Sequence, residues 1–246
     1  MDKSVKILGI DFSNRSLKET VELIDKKLGE NRDKTYHIIT ANPEIALDIE
    51  GDAELKKISL DADLITADGI GIILASKLKK ESLPERVTGY ELLLELFKLG
   101  NEKGLSFYFF GSSEEVNKEA TEKILKTYPN IKLAGRHNGY FKGEEELKIV
   151  EEIEASRPDF LIVALGAPFA DKWIYKYKDR LTSKITLGVG GSLDVISGKV
   201  KRAPVLWQKL NLEWLYRLIS NPSRWKRQLK LPVFAVKAIA EAIRNI

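Results

Sequence analysis

The chain alternates short apolar runs with longer stretches whose apolar residues recur every three or four positions. The runs are VKILGI (5–10), YHIITA (36–41), DLITA (63–67), LSFYFFG (105–111), IKLAG (131–135), DFLIVALG (159–166) and KITLGVGG (184–191). Several are unbroken rather than alternating, the pattern of strands covered on both faces. Between them lie amphipathic stretches with helix punctuation. SLKETVELIDKKLGE opens on Ser16 followed by Glu19, a capping box. SSEEVNKEATEKILKTY places acids first and lysines later, matching the helix dipole, and GEEELKIVEEIEASR stops before Pro158. The alternation predicts an α/β fold: a Rossmann-like, mostly parallel sheet flanked by helices.

Such sheets bind ligands at the carboxyl ends of their strands. Those positions hold Thr40-Ala41-Asn42-Pro43-Glu44, Asp68-Gly69-Ile70-Gly71, Gly111-Ser112-Ser113, Gly166-Ala167-Pro168 and Gly188-Val189-Gly190-Gly191-Ser192. Gly111, Gly166, Gly190 and Gly191 would let backbone N–H groups approach a phosphate or ribose, although each also suits an ordinary turn. No loop reads GxGxxG with an acid about 20 residues on, and none reads GxxxxGK[ST]. A nucleotide-type pocket formed by several converging loops is therefore expected, without a dinucleotide or P-loop signature.

Two readings are open for Asp68. It caps the apolar helix that follows, or it stands at the cleft mouth as a general base. Thr40 and Asn42 either start a helix at Pro43 or aim neutral hydrogen-bonding groups at sugar hydroxyls. Arg86 is a surface charge or an anion ligand. Asp61-Ala62-Asp63 spells DxD, but so short a pattern arises easily by chance and here leads into a strand. No metal and no cofactor are expected. Cysteine is absent and only His37 and His137 could offer imidazole, which excludes disulfides and thiolate or histidine-rich metal sites.

Charge divides the chain of 246 residues. From Gly198 onward, eleven Lys/Arg stand against Glu213 and Glu241 alone, whereas residues 1–197 carry 29 basic and 34 acidic residues. Three of the four tryptophans, Trp207, Trp214 and Trp225, fall in the basic part. The expected organisation is an α/β domain over 1–197 and a basic, amphipathic helical C-terminal appendage over 198–246. Drawn as one helix, Ala203 to Ser220 has two apolar arcs, and Arg217 lies inside one of them, where a charge needs a partner. Pro222 ends that helix, with Arg224 and Arg227 at one-turn spacing on the next. Arginines and tryptophans on amphipathic helices suit a membrane surface, or self-association, better than the polar interface of nucleic acid. The N-terminus lacks a signal peptide's apolar core, and no apolar stretch reaches the ~18 residues of a membrane span, so a cytoplasmic location is expected.

Taken in order and spacing, ITANPEIA, DLITADGIGI, LPERVTGYELL, FYFFGSS, HNGYF, LGAPFADKW and GVGGSLDVISGKVKRAP resemble the WecG/TagA/CpsF glycosyltransferase family over nearly the whole chain. The tail EWLYRLISNPSRWKRQ looks most like the TagA branch. The resemblance implies an inverting, metal-independent transferase on the inner face of the plasma membrane. That branch moves N-acetylmannosamine from its UDP donor to undecaprenyl-diphosphate-linked N-acetylglucosamine, the linkage unit of wall teichoic acid. It further implies Asp68 as base, Thr40, Asn42 and Arg86 lining the pocket, and Arg217, Arg224 and Arg227 closing over it from the tail. Off the membrane, the tail's second apolar face would serve a dimer or trimer. One departure stands out. Where the family shows a basic residue, Gln and Glu, this chain has Phe169-Ala170-Asp171. Another UDP-hexosamine or uronic acid donor, or nucleotide-sugar and membrane binding with little turnover, are the alternatives it raises.

Overall fold

The computed structural model describes residues 4–31, 33–220, 225 and 229–244. An antiparallel hairpin comes first, β1 (Ser4–Ile7) and β2 (Ile10–Ser13). The run VKILGI, continuous in the sequence pattern, is thus split. Leu8 and Gly9 both take positive φ, 48° and 79°, the backbone that a two-residue hairpin turn requires.

The body then alternates: α1 (Leu17–Leu28), β3 (Tyr36–Ala41), α2 (Pro43–Gly51), α3 (Ala53–Asp61), β4 (Leu64–Ala67), α4 (Ile70–Leu78) and α5 (Gly89–Lys103). It continues through β5 (Ser106–Gly111), α6 (Glu114–Thr127), β6 (Lys132–His137), α7 (Glu145–Ser156), β7 (Phe160–Ala164), α8 (Phe169–Tyr177), β8 (Ile185–Gly188) and α9 (Ser192–Ser197). The six strands β3 to β8 form one parallel sheet in the order β4-β3-β8-β7-β5-β6, flanked by helices in a Rossmann-like α/β fold. Ser16 and Glu19 make the capping box of α1.

The unbroken runs are unbroken because both sheet faces are covered. Along β5, Phe107 and Phe109 enter one apolar cluster with Phe97 and Phe160, while Tyr108 and Phe110 enter another with Trp173. Phe107 stacks on Phe160 with ring centroids 4.6 Å apart. Each fully buried phenyl ring contributes roughly 1.5–3 kcal/mol by leaving water.

At the amino ends of the strands, Asp159 binds three of them together. Its Oδ2 accepts from the Ser106 backbone N–H and from the Ser106 hydroxyl, each at 2.8 Å, and Lys184 Nζ lies 2.9 Å from Oδ1. Burial alone would raise the carboxyl's pKa, but the Ser106 and Lys184 bonds outweigh it and hold the group below its ordinary value. A carboxyl with a depressed folded pKa contributes stability above its unfolded pKa and loses it as pH falls through the folded one. Asp159→Asn is therefore expected to cost about 1–3 kcal/mol at neutral pH. That deficit should shrink progressively as pH falls below the ordinary aspartate range toward the depressed folded pKa, as urea unfolding along a descending pH series from 7 will show.

Beyond Gly198 come α10 (Val205–Lys209), α11 (Glu213–Ser220) and α12 (Lys230–Arg244). The single helix expected from Ala203 to Ser220 is two helices, because Asn211 sits in the left-handed region at φ 58°. Asparagine tolerates that conformation better than most residues. Helix α12 packs on α2 and α4 through Phe234 and Ala238 and leaves Val233, Val236, Ile239 and Ile243 exposed. Its Glu241 accepts from the Leu8 N–H at 2.9 Å, so the last helix grips the first turn. Among the described residues, no helix is long and apolar enough to cross a membrane.

Candidate functional site

Because all six sheet strands run parallel, the segments after β3, β4, β5, β7 and β8 share one edge. Thr40 and Thr66 are register partners on β3 and β4, and the Asp68 N–H donates to Ala41 O at 3.0 Å. The segment Arg86–Glu91 is stitched along the end of β4. Val87 N–H donates to Ala67 O at 2.9 Å, and Thr66 Oγ1 donates to Val87 O at 3.2 Å. Gly89 then donates its N–H to Asp68 Oδ2 at 3.2 Å. An added Cβ on Gly89 would lie 2.8 Å from Thr40 Oγ1. Asp68, Thr40 and the Arg86 segment are thereby brought together.

Helix α4 takes Gly69, not Asp68, as its cap residue, with no side-chain capping bond. The capping reading of Asp68 is corrected: its carboxylate turns toward Gly89, whose segment reaches it from elsewhere in the chain. Asn42 does cap, its Oδ1 accepting from the Ile45 N–H at 2.9 Å, with Pro43 opening α2. The DxD carboxylates lie at the opposite end of β4. Asp63 Oδ2 accepts from the His37 N–H at 2.9 Å, and Asp61 Oδ2 accepts from the Tyr175 hydroxyl at 2.7 Å. Both have structural employment far from the Asp68 edge.

The glycine segments continue that edge. Gly111 has φ 120°, and Ser112 after it, at φ 58°, donates its N–H to Ala164 O at 2.9 Å. Gly139 donates its N–H to Ser112 O at 2.7 Å, which places the HNGYF segment over the Gly111 turn, and the ring of Tyr140 beside it is exposed. Asn117, wholly buried, donates its Nδ2 to Phe109 O, Gly111 O and His137 O. Gly166 and Gly190 have positive φ and open space where a Cβ would stand. Ala170 is buried, and a Cβ on Gly188 would touch its methyl at 3.5 Å, whereas Phe169 beside it is exposed.

Arg86 is half-buried within a cluster that the sequence pattern does not reveal. Its Nη2 lies 3.8 Å from Glu91 Oε1 and its Nη1 lies 3.9 Å from Glu213 Oε2. Arg202 binds the same two acids more closely, 2.8 Å from Glu91 Oε1 and 3.5 Å from Glu213 Oε1, and lies over the Tyr90 ring. Burial works against the Arg202 charge, but Glu91 and Glu213 more than offset it, and its pKa is raised. One signal could have found this cluster: Glu213 is one of only two acids in the basic tail. Arg224 and Arg227 lie outside the described residues, as does the side chain of Arg217 on α11.

The profile of the Glycosyl transferase WecG/TagA/CpsF family matches residues 5–246. Three similar proteins share one name, N-acetylglucosaminyldiphosphoundecaprenol N-acetyl-beta-D-mannosaminyltransferase. That from Bacillus spizizenii is 37% identical over 209 residues, covering 85% of this chain and 80% of the relative. That from Bacillus subtilis is 36% identical over 235 residues, covering 96% and 91%. That from Staphylococcus aureus strain MRSA252 is 36% identical over 242 residues, covering 98% and 94%.

Proposed function

The chain belongs to the WecG/TagA/CpsF glycosyltransferase family and is a glycosyltransferase, and from this premise we propose that it moves N-acetylmannosamine from UDP to undecaprenyl-diphosphate-linked N-acetylglucosamine. The observation that carries the reading is the joining of Asp68, Thr40 and Arg86 at one sheet edge by the Arg86–Glu91 segment. In a single displacement, the Asp68 carboxylate takes the proton of the acceptor hydroxyl as its oxygen bonds to the sugar's anomeric carbon. The bond from that carbon to the diphosphate oxygen breaks, and UDP leaves with the electron pair. Attack opposite the leaving group inverts the anomeric centre.

The departing diphosphate needs positive charge, and a planar guanidinium meets phosphate oxygens in pairs. Arg86 supplies one guanidinium in this reading, and Arg217, Arg224 and Arg227 supply others from the tail without calling on a metal ion. Backbone N–H groups at Gly111, Gly166, Gly190 and Gly191 are offered to the nucleotide, and the exposed Tyr140 ring is a surface on which a base can stack. Thr40 and Asn42 complete the sugar pocket. The exposed apolar side chains of α12, with Leu206, Leu210 and Ile219, fit a membrane interface where a lipid acceptor resides. On this account the enzyme is peripheral, on the cytoplasmic face, and serves wall teichoic acid synthesis. Away from lipid the same surface favours a dimer or trimer.

A second reading keeps the fold and changes the donor, favoured by the small, buried Ala170 beside Gly188 at the end of β8. A donor panel separates the two. With UDP-N-acetylmannosamine, UDP-N-acetylglucosamine and UDP-N-acetylmannosaminuronic acid each offered with the lipid acceptor, the mass of the lipid product should show N-acetylmannosamine transferred preferentially. Preferential transfer of the uronic acid or of N-acetylglucosamine would establish the second reading.

A further inference from the structure

The tail from Gly198 to Ile246 has two acids, Glu213 and Glu241, among eleven basic residues. Both reach back to the α/β body. Glu241 meets the Leu8 N–H and lies 3.5 Å from Lys79 Nζ, at the hairpin. Glu213, only 8% exposed, lies 3.9 Å from Arg86 of the body and pairs with the tail's own Arg202, which in turn binds Glu91 of the body beside the Asp68 edge. A solvated ion pair would mean little, but a buried carboxylate bracketed by two guanidinium groups cannot lose its charge without leaving its partners uncompensated.

The cluster also connects directly to Asp68. Glu91 Oε2 accepts from the Thr88 hydroxyl at 3.0 Å, and Thr88 is the cap of α5. The next residue, Gly89, gives its N–H to Asp68. Glu213 therefore grips, through Arg202 and Glu91, the turn that orients the carboxylate. The two arginines divide the work. Arg202 makes the hydrogen bonds to the acids, whereas Arg86, at 3.8 and 3.9 Å, is in ion-pair range of both but beyond direct hydrogen bonding to either.

We propose that Glu213 is a positioning residue: its clasp with Arg202 and Arg86 seats α11 against the Asp68 edge, and sugar transfer depends on the seated tail. The proposal rests on the transferase reading. It yields a signature that a general loss of stability does not. Removing the Glu213 charge unseats the helix that, in the transferase reading, brings Arg217 to the diphosphate, so turnover falls while the sheet of the α/β body keeps its fold.

The test compares the full chain with Glu213→Gln. The expected result is a kcat lower by roughly 10- to 100-fold, the scale of a misplaced catalytic arrangement. Amide exchange across residues 213–220 should accelerate, while exchange in β3 and β4 stays that of the parent. Unchanged exchange in α11 would overturn the clasp. Faster exchange with turnover within about twofold of the parent would overturn the dependence of transfer on it. Should Glu213→Gln fail to fold, Arg202→Gln opens the same clasp from the other side, with the same faster exchange expected. If the parent chain transfers nothing from UDP-N-acetylmannosamine, the transferase reading fails, and the exchange measurement still decides the clasp by itself.

Discussion

Asp68→Asn is expected to lower turnover by roughly 10²–10⁴-fold, the range associated with a positioned general base. Asparagine keeps the size of aspartate, and its Oδ1 can still accept from the Gly89 N–H that now meets Asp68 Oδ2 at 3.2 Å. The turn between Arg86 and Glu91 is therefore preserved, and what disappears is the capacity to take a proton at the sheet edge. The informative comparison is Asp63→Asn, at the other end of β4, where the carboxylate accepts from the His37 N–H. That variant should lose stability and keep its kcat. Initial rates at saturating donor, with melting curves for both variants, check the contrast. Equal kcat losses at the two ends of one strand would contradict a specific role for Asp68.

Gly111→Ala should be the most destabilising of the single-methyl additions at the glycine edge. A Cβ there would stand 2.4 Å from both the carbonyl carbon and the oxygen of Ala164, in the backbone of the neighbouring strand. It would also be held at φ 120°, a region that side-chain-bearing residues avoid. Strain of about 1–3 kcal/mol adds to overpacking of about 1–3 kcal/mol, and the backbone of β7 has little room to yield. The matched control is Gly190→Ala. Gly190 has φ 50° and nothing within 4 Å of the added methyl, so only the left-handed backbone cost of roughly 1–2 kcal/mol applies. Urea unfolding of both variants should separate them by several kcal/mol, and equal destabilisation would mean that β5 and β7 leave room for a methyl between them.

Local patterns carried much of the fold. YHIITA became β3 without adjustment, Ser16 and Glu19 formed the capping box, and acids placed early in SSEEVNKEATEKILKTY fell in the first turn of α6. Parallel strands then collected the post-strand segments on one edge, so Thr40, Asn42, Asp68 and the glycines were legible as neighbours before any geometry was known. The failures have local causes too. VKILGI and the stretch from Ala203 to Ser220 each read as one element, and each is broken by residues in the left-handed region, Leu8 with Gly9 and Asn211. Hydrophobic periodicity is blind to a single φ.

Long-range partnerships were the least legible. Arg202 and Glu91 stand 111 residues apart, and neither is unusual in its own segment. The turn of the Asp68 carboxylate toward Gly89 depends on the path of Arg86–Glu91 along β4, which no pattern around Asp68 reports. Arg86 could be read as either a surface charge or an anion ligand. The structure makes it a half-buried member of an ion cluster with Glu91, Arg202 and Glu213.

Sugar transfer at the Asp68 edge to a lipid-linked acceptor, with arginines in place of a metal, is measured by UDP release from UDP-N-acetylmannosamine in EDTA, with and without a short lipid-diphosphate-N-acetylglucosamine acceptor. Release should require the acceptor and persist undiminished in the chelator. Release that ignores the acceptor, that stops in EDTA and returns with added divalent metal, or that never occurs would contradict such transfer.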